Sequence, residues 1–453
     1  IYIYPRGKIG LDIAYLLEFI GYKKENIVFI DDAQEGLGLD SYIFNPQHKV
    51  LIASRKNYLS LASKLHKRGI VYEDGMDFIA RELDRYFLET LKFSRNNTLG
   101  VITSGPSGSK HRGDIEKILK QRGVNVVFFC SSLKEMERAK DRIGDSVAFI
   151  LNEGEILRRI TFMGVALSEC YEKFHHSVSV CYVSHTFATP NQSLAHDPCK
   201  SLMPLRLLIE NNDYIFASCK QTYESWRDFC NYVYLEHSEI EDMIDFSLFY
   251  KVLPLGAPTL DRYYKDIPLM LEKIQNNRSK VDTFLVCLNT DYTNTKRAMD
   301  LVGEILKRGF KVIYRPHIMQ LNSPIHKPIK EQYIQNPNFT FDDSIKLSLE
   351  VIARRSVLIT DMSSLAFTYP IATLSPCILY LEDSWDFTTF IEKKLQIRAS
   401  SAKEAVDAGV SIIENPLEFA NTIIKYTQED IYNFGCASLR IADFVEDILK
   451  ITS

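Results

Sequence analysis

The apolar positions of this chain fall in short runs rich in β-branched residues. Each run is followed by a longer stretch in which apolar residues recur every three or four positions. Residues 1–5 read as a strand, GLDIAYLLEFIG as a helix, and residues 26–32 and 49–54 as two further strands, with a helix over 78–93. That order predicts a small N-terminal α/β domain, a parallel sheet covered by helices, over residues 1–95. A second block, 96–270, repeats the alternation through TLGVIT, NVVFFCSS, DSVAFIL and the strands 178–187 and 213–219. After the polar stretch 272–280, a third block (271–453) runs strand 282–290, helix 295–308, then the strands FKVIYRPH, SVLITD and PCILYLED. The fold class this predicts is α/β, with two Rossmann-like domains behind the small first one.

Composition narrows the function. A chain of 453 residues exceeds one ordinary core, and 46% hydrophobic with 25% charged residues is a globular balance. A net charge of −4 speaks against a nucleic-acid partner, which leaves a basic footprint. No apolar run reaches the roughly 18 residues that span a bilayer. A charged-then-apolar leader before Ile1 is not expected, and the nine cysteines are scattered without a CxxC pair, as in VVFFCSS and FLVCLN. Reduced core thiols and a cytoplasmic location are the expectation. His175, His176, His196 and His326 show no HxxxH or HExxH spacing, so no tightly held metal or cofactor is expected.

Doubly wound sheets take ligands at the carboxyl ends of their strands, so the residues just after strands carry the chemistry. Thr360, Asp361, Ser363 and Ser364 join a strand to a helix start, where free N–H groups and hydroxyls suit a phosphate. Ordinary helix capping gives the same pattern. Arg315 and His317 leave another strand end together, one a fork for phosphate oxygens and the other an acid or neutral donor. His185 ends a strand of the second block, with Thr186 and Asn191 close behind as acceptor-side residues. A core histidine is the plainer reading of His185. Gly256 lies in a Gly-x-Pro-x-x-Asp stretch at a domain junction, a rigid turn first and a donor-phosphate loop second, and Ser107 in the flexible loop TSGPSG, a plain turn first and an acceptor-side contact second. Gly7 and Gly10 form a partial dinucleotide fingerprint with Pro5 in place of the first glycine, and read first as turn glycines.

Ser184-His185-Thr186, Leu255-Gly256-Ala257-Pro258-Thr259-Leu260-Asp261, Arg315-Pro316-His317 and Thr360-Asp361-Met362-Ser363-Ser364 occur in this order over residues 178–381. In that order and spacing the chain resembles the CDP-glycerol glycerophosphotransferase family, which includes the teichoic-acid glycerol-phosphate polymerases. The resemblance implies a GT-B fold with two facing Rossmann-like domains, the second holding most of the donor. It implies transfer of a polyol phosphate from a cytidine-diphosphate-activated donor to a hydroxyl, releasing CMP. By position, His185 matches the acceptor-side base, Arg315 and His317 the pyrophosphate contacts, and Ser363 and Ser364 the phosphate-binding serines. The chain departs from the family in Ser184 and Thr186 beside the histidine, Ile318 after Arg-Pro-His, Met362 for a usual Tyr, and Leu374-Ser375-Pro376 for Gly-Lys-Pro. The first 95 residues lie outside this likeness. Through FIDD and VLIAS they look like the small nucleotide-fold domain that opens some sugar acyltransferases.

The expectation is a phosphopolyol transferase whose acceptor is a surface polysaccharide or a lipid-linked glycan, working by peripheral contact at the inner membrane face. A loosely bound divalent cation is compatible with it. The alternative is a GT-B glycosyltransferase using a CMP-, UDP- or GDP-sugar for capsule or lipopolysaccharide synthesis. A third reading is a non-catalytic nucleotide-binding protein. Aromatic residues of 223–250 suit either a lipid surface or a helical core face.

Overall fold

The computed structural model describes residues 1–44, 47–103, 111–144, 146–152, 154–168, 173–183, 198–235, 251–276, 281–289, 294–316, 320–321, 323–344, 356–361, 363, 365–382 and 395–451. Three sheets, each parallel throughout, run in sequence along the chain. The first has β1 (Tyr2–Tyr4), β2 (Val28–Phe29), β3 (Val50–Ile52) and β4 (Tyr72–Asp74) in the order 2-1-3-4. The second holds β5 (Thr98–Thr103), β6 (Asn125–Cys130), β7 (Val147–Ile150), β8 (Val165–Ser168), β9 (Ser179–Val183), β10 (Tyr214–Phe216) and β11 (Lys251–Leu253). Its order is 11-10-9-8-5-6-7. The third holds β12 (Thr283–Cys287), β13 (Lys311–Tyr314), β14 (Phe339–Phe341), β15 (Val357–Thr360), β16 (Cys377–Tyr380) and β17 (Gln396–Ala399), ordered 14-13-12-15-16-17. Each sheet reverses its winding once, at β1/β3, β5/β8 and β12/β15, the place where open α/β sheets take ligands at the carboxyl ends of their strands. The expected α/β class with two Rossmann-like domains behind a smaller one is what forms.

Local sequence accounts for most elements. Parallel strands are covered on both faces and so read as continuous apolar runs, such as Val357–Thr360, which is buried throughout. The helix Thr295–Lys307 buries Ala298, Leu301, Val302 and Ile305 and starts at Asn294, whose side chain accepts from the Arg297 N–H. The helix expected over 78–93 begins earlier, at Gly75, because Asp74 accepts from the Met76 and Asp77 N–H groups. Trp226, Phe229 and Cys230 of the helix Lys220–Leu235 pack into a core with Tyr182 and Ile215, which assigns that part of the aromatic segment to the interior. No described helix is long and apolar enough to cross a membrane.

The three expected domains, 1–95, 96–270 and 271–453, do not keep separate cores. Ile13, Leu17, Ile79, Leu83 and Phe87 from the first share one apolar cluster with Phe129, Phe149, Phe162 and Met163 from the second. Phe87 and Phe162 stack with ring centroids 3.9 Å apart. At the other end, the helix Ala437–Ile451 returns to the second sheet, where Ile441, Val445, Ile448 and Leu449 join Leu99, Val101 and Phe128. Burying each such side chain stabilises by roughly 1.5–3 kcal/mol, which outweighs the pull of sequence proximity to the third sheet. Conversely the helix Asp261–Gln275 crosses the expected boundary near 270, placing Met270 and Ile274 with Ile371, Ala420 and Ile423.

Two chain crossings therefore join the second and third sheets, and they are bonded to each other. Lys220 and Tyr432 donate backbone N–H groups to Asp430 and Ser218 carbonyls, both at 3.0 Å. Asp261 accepts from the N–H groups of Ala437 (2.9 Å) and Ser438 (2.8 Å), capping the returning helix. Gly256 sits at φ +93°, and a Cβ there would lie 2.3 Å from the Tyr432 carbonyl oxygen. Only glycine fits both constraints.

Candidate functional site

The carboxyl edge of the third sheet carries Arg315, Thr360, Asp361 and Ser363. Val286 of β12 is level with Tyr314 on one side and Ile359 on the other. Arg315 and Thr360 thus stand at the same height on the two strands flanking β12, about 10 Å apart by two strand spacings. Arg315 is almost fully buried, and its Nη1 donates to Asp342 Oδ2 (2.5 Å) and Ser344 Oγ (2.8 Å) beyond the end of β14. Burial alone would raise the Asp342 pKa, but hydrogen bonds from Ser344 and Arg315 outweigh it and hold the carboxyl below its ordinary value. A guanidinium carries five N–H donors, more than this anchoring uses.

Across the switch point, Asp361 is fully buried and its Oδ2 accepts the Asn289 N–H at 2.6 Å, tying the tip of β15 to that of β12. Gln320 reaches Asn289 Oδ1 at 2.7 Å and completes the lining. Ser363 begins the turn into the helix Leu365–Thr373. Its N–H donates to the Asp361 carbonyl (3.0 Å) and its Oγ accepts the Leu365 N–H (3.3 Å). Ser363 therefore serves as a cap at a helix N-terminus that opens on the crevice. Thr360 points elsewhere: its hydroxyl donates to the Cys287 carbonyl at 2.7 Å and holds two strands together. Cys287 beneath is pushed up to about 12 by burial, so its thiol stays protonated and inert. Under Arg315, the Tyr314 hydroxyl lies 3.1 Å from His326 Nδ1, and burial lowers the His326 pKa and keeps the ring neutral.

Gly256 is occupied by the crossing described above, where its N–H donates to Ala217 and its Cα faces Tyr432. His317 and Ser364 lie outside the described residues, as do His185, Thr186, Asn191 and Ser107. Their anchors are described. The segment bearing Ser107 leaves from Thr103 at the tip of β5, and that bearing His185 leaves from Val183 at the tip of β9. Both are carboxyl ends on one edge, separated by β8. Below the β5 tip, buried Arg112 pairs with buried Glu116, which Arg142 also contacts at 2.9 Å. Among the described residues no group of three or more His, Cys, Asp or Glu is arranged to hold a metal ion.

Asp342, Ser344, Asn289 and Gln320 were not singled out from the sequence. The run Phe339–Phe341 is only three residues, too short for its period to announce a strand, and without that strand Asp342 has no place beside Arg315.

No family description matches the chain, and no curated protein matches it. Its fold is shared with solved structures at low identity. The wall teichoic acid polymerase TagF is 14% identical, with a TM-score of 0.52 over 87% of this chain and 97% of that one. MnaA of S. aureus, solved with UDP, is 12% identical, with a TM-score of 0.54 over 78% and 97%. The UDP-GlcNAc 2-epimerase of Neisseria meningitidis, bound to UDP-GlcNAc, is 13% identical, with a TM-score of 0.53 over 77% and 99%. The likeness is one of architecture: this chain has the GT-B fold.

Proposed function

We propose that the protein transfers a polyol phosphate from a CDP-activated donor to a hydroxyl of a surface glycan or lipid-linked acceptor, releasing CMP. The supporting observation is the anchored Arg315 standing level with Thr360 on the two strands flanking β12, with Ser363 capping the helix Leu365–Thr373 just beyond. A fixed guanidinium and a helix N-terminus on two sides of one hollow suit a diphosphate. TagF, of like fold, has been soaked with CDPG.

In this reading the acceptor oxygen attacks the phosphorus that carries the polyol. The bond from that phosphorus to the bridging oxygen breaks, and CMP leaves with the electron pair. His185 takes the acceptor proton, while Arg315, His317, Ser363 and Ser364 stabilise the charge gathering on the departing phosphate. Asp361 and Asn289 act by fixing the turn. The donor is a substrate and no tightly bound metal is invoked. A lipid-linked acceptor would bring the reaction to the inner membrane face.

A second reading, a nucleotide-sugar enzyme, is favoured by the UDP and UDP-GlcNAc found in two structures of the same fold. Incubation with CDP-glycerol, UDP-sugars and GDP-sugars in turn separates the two. Release of CMP from CDP-glycerol alone is expected. Release of UDP or GDP from a sugar donor, with CDP-glycerol inert, would replace the first reading by the second.

A further inference from the structure

The first sheet has its own switch-point crevice, and it is not empty of chemistry. A cleft of about 500 Å³ is lined by Lys8, Ile9, Arg55, Asn152, Gly154, Glu155 and Arg158. Lys8 follows β1, Arg55 follows β3, and Asn152 follows β7 of the second sheet, so three carboxyl-end strand tips from two sheets meet there. The short helix Gly154–Leu157 closes the far side.

Three of its lining side chains are cationic. Among the described lining residues Lys8, Arg55 and Arg158 stand with the carboxylate of Glu155, which lies 2.7 Å from Arg158 and 3.7 Å from Arg55. Glu155 is divided further by Arg159 at 3.0 Å, itself bonded to Asp77. Asp12, one turn along the first helix, faces Lys8 and hydrogen-bonds Asn152, which offsets part of the lysine's charge.

The backbone is arranged for close approach. Gly10 is needed for packing, since a Cβ there would lie 2.4 Å from the Pro5 carbonyl oxygen. Gly7 has nothing within 4 Å of its Cβ position, so the chain is open just where the helix Lys8–Phe19 begins. That helix has no side-chain cap and no acidic residue in its first turn. These are the jobs of the second and third glycines in a phosphate-binding strand–turn–helix.

We propose that this cleft is a second anion site, taking the phosphate or diphosphate group of a small ligand between the first and second domains. It is separate from the Arg315 crevice and does not depend on the transferase reading. Lys8, Arg55 and Arg158 supply the charge, Asn152 a side-chain amide, and the first turn of the helix Lys8–Phe19 its N–H groups.

The test is calorimetric titration of the full chain with inorganic pyrophosphate, inorganic phosphate and CDP, in the wild type and in Arg315→Gln. Pyrophosphate should bind the Arg315→Gln chain at one site. Gly7→Glu on that background should weaken it at least tenfold, because it sets a carboxylate at the helix start; the open Cβ position and helix dipole both let that variant fold. Lys8→Gln/Arg55→Gln should weaken it likewise. CDP binding tenfold tighter than pyrophosphate would identify a nucleoside ligand, and equal binding would identify recognition of phosphate alone; both support the site. Loss of all binding in Arg315→Gln, or unchanged binding in Gly7→Glu, would overturn it.

Discussion

The crevices of the first and third sheets use the same device in opposite ways. Each opens where a parallel sheet reverses its winding, and each meets a helix N-terminus. In the third sheet a single arginine is buried and held by Asp342 and Ser344, so position is fixed and net charge is low. In the first, Arg55 and Arg158 are each about half exposed (49%) and both pair with Glu155. A held guanidinium discriminates by geometry, as a reacting diphosphate requires. Loosely held cations discriminate by charge, which suits a ligand that only has to be retained.

The sharpest way to break this contrast is Arg315→Gln. Turnover should fall at least about 100-fold, near 2.7 kcal/mol of lost transition-state stabilisation. Adding Asp342→Asn should restore the melting temperature, by removing the half-buried carboxylate left without its arginine, without restoring turnover. Recovery of both would mean that Arg315 is structural only. Next in size is a pair of glycines. Gly10→Ala should destabilise by about 1–3 kcal/mol in urea unfolding, whereas Gly7→Ala should change stability by no more than about 0.5 kcal/mol. Equal effects would show that Gly7 is also a packing residue.

The smallest effect concerns acid. Burial would raise the Asp32 pKa, but hydrogen bonds from Lys64 and Tyr4 outweigh it and hold the group at about 2. Because the folded value lies below the ordinary one, this contribution is complete above about pH 4 and lost as pH falls through about 2. Asp32→Asn should therefore lower the urea midpoint slightly at pH 7 and flatten its fall between pH 4 and 2. An acid limb of unchanged slope would show that the Tyr4–Asp32–Lys64 cluster contributes nothing to folding.

Much of the architecture was legible without coordinates. Apolar β-branched runs named the central strands of the first and third sheets and β5, β6, β7, β9 and β10 of the second, though not β8 at its centre, and their regular alternation with helical periods implied parallel winding. Arg315, Asp361 and Ser363 were found because residues just beyond such strands must lie on the carboxyl edge. Short strands hid the rest: β8 has four residues though it lies mid-sheet, and the edge strand β14 carries too few to show a period, so Asp342 went with it.

The chain by itself determined which segments become strands and which strand ends carry polar groups, since both follow from local pattern and backbone geometry. Only the tertiary structure decided which cores fuse and which ends meet. The helix Ala437–Ile451 packs on the second sheet, and Lys8, Arg55 and Arg158 gather from distant positions, because burial of apolar area is non-directional and indifferent to sequence distance. Periodicity tells a helix which face to hide, but not what it will be hidden against.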